Sequence, residues 1–230
     1  MQKTLMVLGV LAVSLAGCDK NQEGNLREPR VSTSRVPEAG ASAYESARPA
    51  AASRKLFLDV HELGPAKVNA AAVAGAHQKD LATEGKYAAD FKAYWVDEKA
   101  GKIYCLVEAP NAQTVNDVHR EAHGLLANQI MQVTASEASW AATAPGKKRY
   151  LDVHHFGAGK VTAQAVAGAH QKDLAAQAKH DVTYLNYWFD AEIGTVMCLM
   201  EAPNADAALA VHKEAHGLMP DSIEEVSEGR

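Results

Sequence analysis

The sequence predicts an α+β fold: two tandem ferredoxin-like βαββαβ units packed as an intrachain pseudo-dimer, α/β-barrel-like in outline. Three observations predict it. The body of the 230-residue chain is written twice at a constant offset of 93 residues, Leu58 to Val133 against Leu151 to Val226, with about half of the aligned positions identical. Each copy carries, in order, the patterns of strand, helix, strand, strand, helix and strand. Each copy, about 76 residues long, is also small for a self-sufficient core and leaves one sheet face bare, so the two open faces are expected to bury each other.

The elements follow from local pattern. Lys55 to His61 (KLFLDVH) and Arg149 to His154 (RYLDVH) alternate apolar and polar β-formers and read as half-buried strands. Val68 to about Gly85 and Val161 to about Lys179 are Ala-rich and free of proline, which predicts the first helix of each copy. Phe91 to Asp97 and Lys102 to Glu108 form a hairpin about Gly101, repeated by Tyr184 to Asp190 and Thr195 to Glu201 about Gly194. Pro110 and Pro203 are expected to open the second helices, and Gly124 and Gly217 to close them in the left-handed conformation. Ile130 to Thr134 and Ile223 to Val226 supply the last strands. The domains are thus expected at 54–136 and 148–230, with 137–147, containing Trp140 and Pro145, as linker.

Two segments of other character precede the repeats. Residues 1–17 carry one cation, Lys3, then an apolar run from Leu5 to Leu15 too short to span a bilayer comfortably, so a signal peptide is expected. Leu15-Ala16-Gly17-Cys18 resembles the bacterial lipobox, in which the cysteine is diacylated and becomes the mature N-terminus. Cys18 is therefore the expected lipidation site, anchoring the protein to a membrane of the bacterial cell envelope, facing the periplasm. Residues 18–53 are rich in Ser, Ala, Arg, Glu and Pro; they lack the apolar surface to offset their ordering entropy and read as a flexible tether.

Composition narrows the function classes. With 23 Lys+Arg against 28 Asp+Glu and 6% aromatics, the chain has neither a basic field nor stacking platforms, which argues against nucleic acid as a partner. Three cysteines are too few for a disulfide scaffold. Ten histidines are the unusual feature, and eight occupy equivalent positions: His61 with His154, His77 with His170, His119 with His212, and His123 with His216. His119 and His123 are spaced i, i+4, at a distance one ion can bridge, on the flank of the second helix's apolar stripe; two half-exposed surface histidines is the competing reading. In the first helix His77 and Asp80, like His170 and Asp173, lie beside the apolar face, where an i, i+3 carboxylate can fix the tautomer of an imidazole whose other nitrogen binds a metal. On the first strand Asp59 and His61 share a face, as do Asp152 and His154. With Leu58 and Val60 under the helices, that polar pair would reach the bare face where the copies meet. Cys105 and Cys198 lie on the neighbouring strand; a thiolate near imidazoles suits Ni²⁺, Co²⁺, Cu²⁺ or Zn²⁺ and not Ca²⁺ or Mg²⁺. A buried apolar role for each cysteine, or a disulfide between them, stays open. Tyr94, Trp95, Tyr187 and Trp188 are expected in core or interface packing, with a ligand wall as the alternative.

The motifs LDVH, AHQKDL, YWVD, CLVEAP and VHREAHGL (Leu58 to Leu125), repeated as LDVH, AHQKDL, YWFD, CLMEAP and VHKEAHGL (Leu151 to Leu218), resemble a family of small bacterial ferredoxin-like proteins typified by a nickel-binding member. The resemblance covers both repeats but neither leader nor tether. It implies the ferredoxin-like fold, pairing of two units and a capacity for nickel, and it matches at His61, His77, Asp80, Cys105, Glu108, His119 and His123 with their second-copy equivalents.

The leading expectation is a lipid-anchored envelope protein that binds nickel or a similar ion and stores, buffers or delivers it. The alternative is an α/β-barrel enzyme, monooxygenase- or isomerase-like, with His77 and Asp80 as an acid-base pair; a cavity lined by His77 and Tyr94 with room for a small organic ligand would favour it. A purely structural or partner-binding lipoprotein is the third, and would leave the histidines dispersed and singly hydrogen-bonded to backbone.

Overall fold

The computed structural model describes residues 53–136, 140 and 142–230. The expected signal peptide, Cys18, the tether up to residue 52 and linker residues 137–139 and 141 lie outside the described residues. No described helix is long and apolar enough to cross a membrane.

The first unit comprises β1 (Lys55–Glu62), α1 (Ala70–Thr83), β2 (Asp90–Asp97), β3 (Lys102–Ala109), α2 (Ala112–Ala122) and β4 (Gln129–Gln132), followed by the two-residue β5 (Thr134–Ala135). The second comprises β6 (Lys148–His155), α3 (Ala163–Ala176), β7 (Thr183–Asp190), β8 (Thr195–Ala202), α4 (Ala205–Ala215) and β9 (Ser222–Gly229). Each helix is capped by a side-chain oxygen: Asn69, Asn111, Thr162 and Asn204 accept the backbone N–H of Ala72, Thr114, Ala165 and Ala207. Pro110 and Pro203 therefore do not open the second helices as expected. They stand one residue before the cap, because the asparagine satisfies an N–H that a proline at the first helical position can only omit. The hairpin glycines behave as predicted: Gly101 has φ +73°, and a Cβ there would lie 1.7 Å from the Gly64 carbonyl oxygen.

The strands form one sheet in the order β4-β1-β3-β2-β9-β6-β8-β7-β5, with antiparallel pairing throughout. Its two end members, β4 and β5, are consecutive stretches of chain separated only by Val133, so the sheet closes on itself as a barrel. β9 does the same in one piece, pairing residues 222–226 with β6 and 227–229 with β2. The fourth strand of each unit thus bridges to the second strand of the other, and backbone groups that an open edge would offer to another chain are used internally. Side chains reinforce the seam. Glu224 on β9 accepts from Tyr104 Oη and Lys102 Nζ, both at 2.6 Å, and Glu228 accepts from Trp95 Nε1 at 3.0 Å and pairs with the buried Arg149.

The barrel interior is the shared core. Leu58, Val60, Trp95 and Leu106 of the first unit meet Leu151, Val153, Trp188 and Leu199 of the second, and the fully buried Trp95 and Trp188 rings lie 4.8 Å apart. This corrects the expected facing of β1. Leu58 and Val60 point into the barrel, whereas Asp59, His61 and Cys105 point beneath the helices with Phe91, Val115 and Val118. Strand alternation dictates which side chains share a face but not which face that is. On the helix side Asp59 meets His119 and His61. A bulge at Lys92, repeated at Leu185, resets the alternation so that Phe91 and Tyr94 lie on the helix side while Ala93 and Trp95 enter the barrel.

Trp95→Ala should leave a void at the centre of this shared core and lower the free energy of unfolding by about 3–5 kcal/mol, read from the urea midpoint at constant slope.

Candidate metal centre

Each unit buries a polar cluster between its sheet and its two helices, centred on the histidine one turn before the end of the second helix. In the first unit this is His119, 1% exposed. Its Nε2 donates to Asp59 Oδ2 of β1 at 3.1 Å, and its Nδ1 lies 3.1 Å from Asp80 Oδ1 of α1. His123, the residue that ends α2, places Nε2 3.1 Å from the same Asp80 oxygen and 3.1 Å from His119 Nδ1. Two imidazole nitrogens and one carboxylate oxygen thus form a nearly equilateral triangle. The second unit repeats it: His212 Nδ1 to Asp173 Oδ1 3.2 Å, His216 Nε2 to Asp173 Oδ1 3.0 Å, His212 Nδ1 to His216 Nε2 3.3 Å, with Asp152 Oδ2 2.6 Å from His212 Nε2. His123 remains 10% exposed, so the triangle has a route to solvent that the deeper side chains lack.

Charge pairing holds the cluster ionised. Burial raises the pKa of Asp59, but hydrogen bonds and charge from His119 and His61 outweigh it and hold the carboxyl at about 2. Burial disfavours the charged form of His119, yet Asp59 and Asp80 on its two nitrogens raise its pKa to about 9; Asp152 and Asp173 do the same for His212. Asp80 and Asp152 are likewise held below the ordinary carboxylate range by their histidines, against burial.

The other expected site residues fall in two groups. His61 and Cys105 make a second, deeper trio with Asp59, in which His61 Nε2 lies 3.2 Å from Asp59 Oδ1; His154 stands 3.5 Å from Asp152 Oδ1 in the second unit. Burial, and next the charges of Asp59 and Asp80, push the Cys105 thiol far up, and Cys198 follows through Asp152 and Asp173, so both are thiols and not thiolates; both are free. His77 does not pair with Asp80 as the i, i+3 spacing suggested. Asp80 is taken by His119 and His123, and both nitrogens of the buried His77 lack a partner, its ring lying 4.9 Å from that of Tyr94. His170 sits likewise against Tyr187, at 4.8 Å. The carboxylate that orients an imidazole is instead Asp59, whose hold on Nε2 of His119 leaves Nδ1 facing the triangle. His119 is also no flank residue: it lies at the centre of the buried face of α2. The sequence reading missed the residue packed on it, Phe91 in the first unit at 5.2 Å and Tyr184 in the second, whose hydroxyl is 3.3 Å from His212 Nε2. Only the bulge puts that position on the helix side.

A family described as nickel responsive protein SCO4226-like matches residues 57–133 and 150–226, more than half of the chain. The chain belongs to that family. It carries the family domain twice and with it a nickel-related role. The crystal structure of SCO4226 from Streptomyces coelicolor A3(2) is 38% identical over 34% of this chain and 93% of its own, with a TM-score of 0.32. A chlorite dismutase from Candidatus Nitrospira defluvii aligns over 77% of this chain and 90% of its own at 6% identity and a TM-score of 0.41. A heme-binding protein from Thermus thermophilus aligns over the same shares at 9% identity and 0.37. A search of curated proteins finds no match.

The pairings give the metal-free chain a signed pH dependence. His119 and His212 are raised from 6.5 to about 9, so their contribution is fully present below 6.5 and is lost as pH rises through 9. Asp59, lowered from 3.8 to about 2, contributes above 3.8 and loses that contribution as pH falls through 2. As pH rises from 6.5 through 9, chelator-treated protein should therefore lose on the order of 3 kcal/mol from this pairing in each βαββαβ unit, measured as a falling urea midpoint.

Proposed function

We propose that the chain is a lipid-anchored protein of the bacterial envelope that binds two nickel ions, one in each unit, and buffers or delivers them. The observation that carries this reading is the duplicated triangle of two imidazole nitrogens and one carboxylate oxygen with sides of 3.0–3.3 Å. Adjacent donors around an octahedral ion with bonds of about 2.1 Å stand about 3.0 Å apart, so the three atoms already occupy one face of such a shell. Two nitrogens and an oxygen suit a late first-row divalent ion, and the family description favours nickel over cobalt, copper or zinc. In the first unit His119, His123 and Asp80 would hold the ion, with Asp59 fixing the His119 tautomer; His212, His216, Asp173 and Asp152 take these places in the second.

Binding is coupled to protons and to the loop after the helix. The Leu125 backbone N–H donates to His123 Nδ1 at 3.1 Å, which keeps the proton of the neutral ring on Nε2; Leu218 and His216 repeat the contact at 3.0 Å. An ion held at Nε2 would require the proton of the neutral ring on Nδ1, where the hydrogen bond from the Leu125 or Leu218 N–H could no longer form. The Leu125 and Leu218 amide resonances should therefore shift on nickel addition, and affinity should rise with pH as His119 gives up its proton.

Titration calorimetry should find two nickel ions per chain, one after His123→Ala or His216→Ala, and none tightly held in the double variant. Retention of both ions by a folded double variant would sink the assignment. For the anchor, Cys18→Ser should abolish incorporation of labelled fatty acid and move the protein from the membrane to the soluble fraction.

A further inference from the structure

The second unit contains a cavity of about 280 Å³ between α3 and the sheet. It is rimmed by the exposed Phe156 and Leu218, and its inner end is formed by His212, His216 and Asp173. That volume exceeds what an ion requires. Three water ligands completing a coordination shell take roughly 90 Å³ at about 30 Å³ each, whereas the cavity lies near the lower end, about 300 Å³, of sites that enclose small organic molecules.

The wall chemistry narrows the occupant. Most of the lining is apolar, from Val161, Ala165, Val166, Ala169 and Val196. Its one carboxylate, Asp173, is already shared between His212 and His216. Lys160 lines the cavity from an exposed position. His170 lines it too, and among the described residues its buried Nδ1 has no partner. Outside the His212–His216–Asp173 cluster at its inner end, the wall therefore offers the Lys160 ammonium and the His170 imidazole, and no further carboxylate.

We propose that this cavity binds a small organic monocarboxylate with an apolar body, of the size of benzoate. Its carboxylate is met by Lys160 and His170, and its body lies against the small side chains of α3. The proposal is made for the second unit. Phe156 stacks on His154 at 5.6 Å and stands at the rim, whereas Leu63, its counterpart, packs into the core of the first unit. The proposal concerns ligand binding beside the metal centre and does not require nickel to be present.

Benzoate should be titrated into the full chain, metal-free and nickel-loaded, by calorimetry and saturation-transfer NMR. Saturable binding of one benzoate per chain is expected, with a Kd below about 1 mM. Ala165→Phe and Ala169→Phe, which fill the cavity, should each weaken it at least about tenfold while nickel stoichiometry stays unchanged. Ala72→Phe, the first-unit counterpart of Ala165→Phe, should have no effect. Lys160→Gln should weaken benzoate but not benzyl alcohol. Absence of saturable binding, or undiminished binding by Ala169→Phe, overturns the site; equal loss of benzyl alcohol in Lys160→Gln overturns the role given to Lys160. Benzoate binding by a chain that takes up no nickel would uphold this site while removing the nickel reading, and the converse result would do the reverse.

Discussion

A buried imidazolium between two carboxylates is the interaction on which each unit depends. His119 joins β1, α1 and α2 through Asp59 and Asp80, and His212 does the same through Asp152 and Asp173. An ionised group taken out of water costs several kcal/mol unless it is paired and hydrogen-bonded, so the two helices can settle on the sheet only where the partners meet. The pairing is also incomplete in charge. Two carboxylates held ionised around one imidazolium leave an excess negative charge in a dry layer, and His61 and His123 soften it with hydrogen-bond donors without cancelling it. A divalent cation that displaced the His119 proton would remove that excess, which is the electrostatic argument for the proposed metal site.

The barrel places these clusters far from the contact between repeats. Each unit's own core lies on the helix side, and the shared core, centred on Trp95 and Trp188, lies on the opposite face of the sheet. Closure through β4, β5 and β9 makes each unit's fourth strand part of the other's sheet, so neither repeat has a complete sheet alone. Carrying both repeats in one chain turns that association into an intramolecular step whose effective concentration the linker sets. The clusters are then intra-unit sites on an inter-unit scaffold: each supplies its own donors, while the sheet that carries Asp59 or Asp152 is held by both.

Much of this was legible in the sequence because duplication acts as a filter. Fixed offset, element order and hairpin glycines all followed from patterns that local physics determines. The triangle was half legible: His119 and His123 by their spacing, Asp80 by its place on the apolar side of α1. What failed were choices between equivalents. Alternation on β1 permitted either facing, and the answer depended on Asp80 and His119 arriving from elements distant in sequence. The i, i+3 pairing of His77 with Asp80 was plausible within one helix and lost to two histidines of another. The bulge at Lys92 and Leu185 has no marker in composition, so the residue packed on the central histidine stayed hidden.

The two copies diverge where the charge cluster does not constrain them. All donors of the triangle are the same in both, yet the side chain above the central ring is Phe91 in one and Tyr184 in the other. Phe91 offers His119 a ring edge; Tyr184 brings a hydroxyl within 3.3 Å of His212 Nε2, the nitrogen that Asp152 already holds at 2.6 Å. Burial, and then the charges of Asp173 and Asp152, keep that phenol protonated, so it acts on His212 as a neutral dipole. A group that changes the basicity of the imidazole without entering the triangle would change how readily Nδ1 of the proposed site exchanges a proton for a metal. Identical donors therefore do not make identical sites: the constraint that preserved the triangle through duplication left its surroundings free, and affinity and selectivity can differ between the units there.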